Sequence, residues 1–199
     1  MAVPRGTMEL PQANRGKLLA SFNSGFKLSD SHGGVVLNGH TYATMHDGQA
    51  TLVGYTDGQV DVLDWSYGSI APSSVAFARQ NLPLLVNEGR PNSNLANGEW
   101  GATIGNAVLV WRSGIGVDRR GNLIYAAGDN QTVQSLADAL IRAGAVRAME
   151  LDINSYWVSF ITYGAPGAED PRNLLPDMNR SASRYLEPDD RDFLAVYSR

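Results

Sequence analysis

Three short turn signals constrain the fold of this chain more than any other feature. Asn38-Gly39 follows Val35, Val36 and Leu37, Asp57-Gly58 separates residues 50–56 from 59–65, and Arg119-Arg120-Gly121-Asn122 separates residues 114–117 from 123–127. Asn-Gly and Asp-Gly supply the positive φ that two-residue hairpin turns require, and a hairpin makes its flanking strands antiparallel neighbours. Further extended runs are expected at 17–22, 75–80, 84–87, 146–151, 157–163 and Phe193–Tyr197. One stretch reads as a helix. Val133, Leu136, Ala137, Leu140 and Ile141 recur on a single face, Thr132 stands where an N-cap belongs, and Gly144 stands where a left-handed terminating residue belongs. Residues 88–103 and 164–190 are rich in Asn, Gly or Pro and read as loops. The expected class is α+β: a mixed, largely antiparallel sheet with hairpins and at least one packed helix over about 132–143.

The 199 residues suit one domain with a substantial core. Residues 1–16, with two prolines and two glycines, read as an irregular lead-in to a single domain over 17–199. The net charge of −4 gives no basic footprint for nucleic acid. With no cysteine there is no disulfide, no thiolate-bound metal and no Cys nucleophile. The three histidines, His32, His40 and His46, lack zincin spacing, so no His-built metal site is expected. No apolar run approaches the ~20 residues of a membrane-spanning helix, and the first residues carry no signal-peptide core. No membrane insertion is expected from this chain.

The order of several segments carries more information than any one of them. Phe22-Asn23-Ser24-Gly25-Phe26 comes first, then Leu84-Leu85-Val86-Asn87-Glu88-Gly89, then Arg112-Ser113-Gly114-Ile115-Gly116-Val117 with Gly121-Asn122-Leu123. The helix follows, and then Arg147-Ala148-Met149-Glu150-Leu151-Asp152. Over roughly residues 18–163 this succession resembles the phosphodiester glycosidase family, in a divergent bacterial branch. Where that family carries a glycine-rich Asp-Gly-Gly-Gly-Ser turn, this chain has Asp152-Ile153-Asn154-Ser155. Ile153 cannot adopt positive φ cheaply, so a different loop geometry is expected there. The resemblance implies hydrolysis of a sugar phosphodiester at the anomeric carbon, on a glycan or cell-envelope substrate in an extracytoplasmic setting. The lost glycines favour an alternative, a non-catalytic domain that binds glycan or envelope polymer on the same scaffold. Family members generally carry more sheet upstream, so the chain also reads as one lacking upstream strands, with an edge exposed for pairing.

Each candidate residue has a chemical and a structural reading. Asp152, at a strand end, suits a general acid/base or a group orienting a sugar hydroxyl; it equally suits an Asx-turn. Glu150 stands two residues earlier, on the same face of an extended strand, and two carboxylates are the usual equipment of glycoside hydrolysis. Its alternatives are a solvated face or an ion pair. Arg112 offers a fork for phosphate oxygens, or a structural partner for Glu150, Glu88 or Asp152. These three are the expected catalytic set. Asn23, Ser24, Asn154, Glu88 and His32 are the expected substrate-binding set, with turn or surface roles as alternatives. No cofactor is required by this chemistry and no metal ligand is assigned; Asp152, Asn154 and Glu150 offer oxygens to Ca²⁺ as a side option. The expected partner is a carbohydrate or sugar phosphate, and the oligomeric state is left open.

Overall fold

The structure, a computed structural model, describes residues 8–164 and 168–198. The lead-in expected over 1–16 therefore lies partly outside the described residues. Its described part makes a bridge from Met8 to Asp189 and enters a 3₁₀ turn at Gln12–Lys17.

The strands are, in chain order, β1 (Leu18–Asn23), β2 (Val35–Leu37), β3 (His40–Ala43), β4 (Ala50–Tyr55), β5 (Val60–Asp64), β6 (Val75–Asn81), β7 (Val86–Asn87), β8 (Arg90–Pro91), β9 (Val110–Val117), β10 (Leu123–Gln131), β11 (Arg147–Glu150), β12 (Phe160–Gly164), β13 (Glu169–Asn173) and β14 (Phe193–Tyr197). A one-turn helix, α1 (Leu28–Ser31), and the longer α2 (Val133–Arg142) complete the regular structure beside short 3₁₀ turns. Every named pairing is antiparallel. The class is α+β, dominated by three sheets.

The chain divides into two compact units. One comprises the residues up to Ser24 and those from Asn154 onward; the other is Gly25–Ile153. The first unit holds a four-stranded sheet in the order β13-β12-β1-β14. Leu10, Leu18, Ile161, Tyr163, Ala168 and Tyr185 form its apolar cluster.

The second unit holds two five-stranded sheets, ordered β10-β9-β11-β7-β8 and β3-β2-β6-β4-β5. Helix α2 lies on the first of these. Val133, Leu136, Ala137 and Leu140 pack with Leu85, Val86, Trp100, Ala145 and Ala148, the stripe its periodicity predicted. Thr132 accepts a hydrogen bond from Ser135 N at 3.0 Å, and the Ser135 hydroxyl returns one from Thr132 N at 2.9 Å, closing a capping box. Gly144 takes φ +101° after the last turn, as expected of a terminating glycine. Strand β9 must lie close to β11, and its glycines permit this: a Cβ at Gly116 would meet Arg147 O at 2.6 Å. The other sheet buries Val36, Met45, Val53, Trp65, Val75 and Ala78. Within this unit Arg147 ties the two sheets together, donating from Nε to Val62 O at 2.7 Å and pairing through Nη2 with Asp61 at 2.6 Å.

Three local expectations are corrected. The loop expected to begin at 88 starts with a hairpin, because Glu88 (φ 51°) and Gly89 (φ 72°) form its two-residue turn. The loop expected over 164–190 contains β13, an edge strand rich in polar residues that, among the described residues, pairs with β12 alone. An edge position tolerates Pro171 because one row of its backbone groups faces no partner strand. Arg112, expected just before a strand, lies inside β9.

Candidate functional site

The second unit brings Arg112 and Glu150 together on neighbouring strands. β11 pairs with β9 so that Glu150 sits opposite Gly114. Both side chains are fully buried, and Arg112 Nη1 lies 2.7 Å from Glu150 Oε1. The guanidinium also donates to Trp100 O at 3.2 Å and to Gln131 O at 3.3 Å. It is thus committed to one carboxylate and two carbonyls, and no part of it faces solvent.

Glu150 is less well served. Its Oε2 is buried and has no hydrogen-bond partner among the described residues. An orphaned carboxylate oxygen away from water strongly disfavours the charged form. Burial accordingly pushes the Glu150 carboxyl up to about 8, against the opposing charge and hydrogen bond of Arg112, and the nearby charge of Asp152 pushes the same way. Burial wins because Arg112 reaches only one of the two oxygens.

Asp152 follows at once, but not on the strand. β11 ends at Glu150, so the shared strand face expected of the two acids is replaced by a strand end and the loop after it. Two side chains that the sequence reading did not single out hold this exit. Ser113 Oγ donates to Asp152 O at 2.7 Å, and Asn81 Nδ2 donates to Glu150 O at 2.8 Å. Leu151 N donates to Ser113 O at 2.8 Å. Asp152 is itself buried, at 4% exposure. Ser113 was within reach of sequence reasoning, since it stands beside Arg112 in the quoted Arg-Ser-x-Ile-Gly run; Asn81 carried no local signal.

Ile153 explains the loss of the glycine turn. It is buried, and it is not among the positive-φ residues. Its side chain instead packs beside Gly101, where an added Cβ would meet Ile153 Cδ1 at 2.8 Å and Phe26 Cζ at 2.7 Å. Gly101, at φ +96°, supplies the conformation and the space that the isoleucine uses.

Glu88 lies away from the acids. Glu88, exposed, borders a polar hollow of about 500 Å³ with Asp61, Asp118 and Arg147; that hollow adjoins the first residue of β11, whereas Glu150 is the last. His32, also exposed, caps α1 in the left-handed conformation at φ 51°.

The first unit holds the other three expected residues. Asn23 is buried at the end of β1; its Oδ1 accepts from Ser159 N at 3.1 Å and its Nδ2 donates to Ser24 O at 2.9 Å. Ser24 Oγ is buried with no hydrogen-bond partner among the described residues. Asn154 is exposed; its Oδ1 accepts from Tyr156 N at 2.9 Å, and its carbonyl accepts from Trp157 and Val158. Among the described residues no group of three His, Asp or Glu side chains is placed to hold a metal ion. No helix among them is long and apolar enough to cross a membrane.

A sheet-dominated α+β scaffold with a buried arginine–glutamate pair at the end of an inner strand is the class defined so far. The family model for phosphodiester glycosidases matches residues 13–152, and the chain belongs to that family. Among solved structures it is similar to the zebrafish N-acetylglucosamine-1-phosphodiester alpha-N-acetylglucosaminidase catalytic domain, described as auto-inhibited by its pro-peptide. That match has a TM-score of 0.63 at 17% identity, over 98% of this chain and 68% of the other. It is also similar to a hypothetical protein from Synechocystis, with a TM-score of 0.51 at 15% identity, over 98% of this chain and 56% of that one. At these identities the likeness is one of fold. No protein of curated function matches.

Proposed function

We propose that the chain hydrolyses a sugar phosphodiester at the anomeric carbon, using Asp152 and Glu150 as its acid–base pair. The bond between the anomeric carbon and the phosphate oxygen breaks, and water supplies the new hydroxyl. Asp152 accepts a proton from that water, while Glu150 gives its own to the departing phosphate oxygen. The observation that carries this reading is the environment of Glu150, fully buried beside Arg112 with its Oε2 unpartnered among the described residues, where burial pushes the carboxyl up to about 8. A carboxyl raised by its surroundings is what a proton donor at neutral pH requires. Arg112 enters this proposal as a positioning residue for Glu150, one of whose oxygens it holds at 2.7 Å. Substrate-binding roles for Asn23, Ser24, Asn154, Glu88 and His32 rest on the family resemblance, as does a glycan or cell-envelope substrate outside the cytoplasm.

A second reading is favoured by the same burial. If the Arg112–Glu150 pair is only a structural post, the domain binds glycans without turning them over. A nitrophenyl sugar phosphodiester and sugar phosphodiesters of bacterial wall polymers separate the two. Release of sugar that is lost in Asp152→Asn supports the hydrolase; saturable binding without release, unchanged in Asp152→Asn, supports the binding domain.

A further inference from the structure

The first unit carries a cluster of arginines on aromatic rings that the proposed chemistry does not use. Three guanidinium groups surround the Trp157 ring: Arg184 and Arg191 at 5.1 Å each and Arg180 at 5.4 Å from its centroid. Arg180 also lies 4.5 Å over the ring of Tyr156, which meets Trp157 edge-on at 5.0 Å. Such stacking holds a guanidinium flat on the ring face and leaves its N–H edges to point outward.

The three arginines have different commitments. Arg184 is buried and acts as a post. Its Nε donates to Asp189 Oδ2 at 2.6 Å, and its Nη1 donates to Trp157 O and Ser159 Oγ at 3.1 Å each. Arg191 is flanked in sequence by Asp190 and Asp192, so it is not the cation on which the proposal rests. Arg180 is. Its side chain is 25% exposed, and its link to Asp189 Oδ2 is long, at 3.5 Å, because that oxygen already accepts from Arg184. Asp189 Oδ1 in turn accepts from Arg191 N at 3.0 Å.

The backbone around Arg180 is fixed. Asn173 Nδ2 donates to Arg180 O at 2.9 Å, and Asn179 Nδ2 donates to Ser155 O at 3.0 Å. Asn154 Oδ1 accepts from Tyr156 N at 2.9 Å, which sets the start of the aromatic pair. Tyr156 is 52% exposed, a large ring left in water beside a preset cation. An arginine held by stacking, with an incompletely satisfied fork and a phenol hydroxyl nearby, is suited to a single anionic group on a sugar.

We propose that Tyr156, Trp157 and Arg180 form a subsite in the first unit for a sugar unit bearing a phosphate or carboxylate, built from residues other than the acids proposed for hydrolysis. Its occupancy is a matter of binding and does not depend on turnover. Glucose 1-phosphate, glucuronate and glucose are titrated by calorimetry into the wild-type protein and into Arg180→Gln, Tyr156→Ala and Glu150→Gln. At least one of the two anionic sugars is expected to bind about tenfold tighter than glucose. Arg180→Gln should erase that preference, Tyr156→Ala should weaken the preferred anionic sugar about tenfold, and Glu150→Gln should leave binding unchanged. A phosphate preference points to sugar-phosphate polymers and a carboxylate preference to uronate-containing ones. Arg180 and Tyr156 are partly exposed, and matching thermal melts show that the variants are folded. No anionic preference in the wild type, or one that survives Arg180→Gln in a folded protein, overturns the subsite. Loss of turnover in Glu150→Gln with binding intact separates this proposal from that of the hydrolase.

Discussion

Each of the two compact units contains a buried arginine–carboxylate pair, and the two pairs behave in opposite ways. Arg112–Glu150 closes at 2.7 Å and Arg184–Asp189 at 2.6 Å, both almost sealed from water. Burial pushes Glu150 up to about 8. Asp189 feels burial too, yet hydrogen bonds and charge from Arg184, the N–H of Arg191 and the charge of Arg180 together hold it below the usual carboxylate range. Two things differ: Glu150 is the more deeply buried, and both Asp189 oxygens are occupied while Glu150 Oε2 has no hydrogen-bond partner among the described residues. Salt-bridge distance alone therefore says little about charge state; burial and the pairing of each oxygen set it together. The fully served pair anchors a loop, and the half-served pair is the one with chemistry to offer.

The largest effect expected from breaking this contrast is on turnover. Glu150→Gln should lower hydrolysis of a sugar phosphodiester by about 10²–10⁴-fold, the usual worth of a positioned acid, while leaving a folded protein. Steady-state rates on the nitrophenyl substrate measure it; undiminished rates would return the Glu150 pair to a structural role. Asp189→Ala should do the reverse. It strands Arg184 in a buried site and should cost about 3–5 kcal/mol of stability in a urea titration, with little loss of hydrolysis from the fraction that stays folded.

The pH dependence of stability sharpens the contrast. Glu150 is raised above its unfolded value of 4.5, so the folded state holds more protons than the unfolded one between 4.5 and about 8. Its contribution is full below 4.5 and is lost as pH rises through 8. Asp189 is lowered, so its contribution is present above its unfolded value of 3.8 and is lost as pH falls through its folded value. Urea midpoints from pH 3 to 9 should therefore show a decline from about pH 4.5 to 8 that Glu150→Gln removes and an acid decline that it leaves. The smallest effect belongs to a third pair, Arg172–Asp170, which is as short at 2.6 Å but mostly exposed. Asp170→Asn should not move the urea midpoint measurably, since solvent screens such pairs; a clear shift would mean that distance matters more than burial here.

The parts of the fold legible in the sequence were those written locally. The Asp57-Gly58 turn set β4 against β5, and Thr132, the apolar stripe and Gly144 delimited α2 to within a residue or so of Val133–Arg142. What was not legible was non-local. Nothing in Val86 or Ala148 announces that they pair across sixty residues of chain, or that the strands sort into three sheets. β13 was missed because Glu169-Asp170-Pro171-Arg172-Asn173 has neither alternation nor β-branching; an edge position gives such a strand its only license. The Arg112–Glu150 contact was foreseen only as one alternative among several, because a phosphate-binding arginine and an ion-paired one are written with the same letter. The orphaned Oε2 could not be foreseen at all, since it depends on which donors fail to arrive. The Arg180 cluster is illegible for a related reason: Tyr156 and Trp157 are separated along the chain from Arg180, Arg184 and Arg191, and only the fold brings them together.

The most direct measurement is a ¹³C titration of the Glu150 side-chain carboxyl, assigned by its absence in Glu150→Gln. The expected result is a carboxyl that stays protonated at neutral pH and titrates near 8. A carboxyl that ionises near its ordinary value of 4.5 would contradict the claim that this pair is the chemically active one.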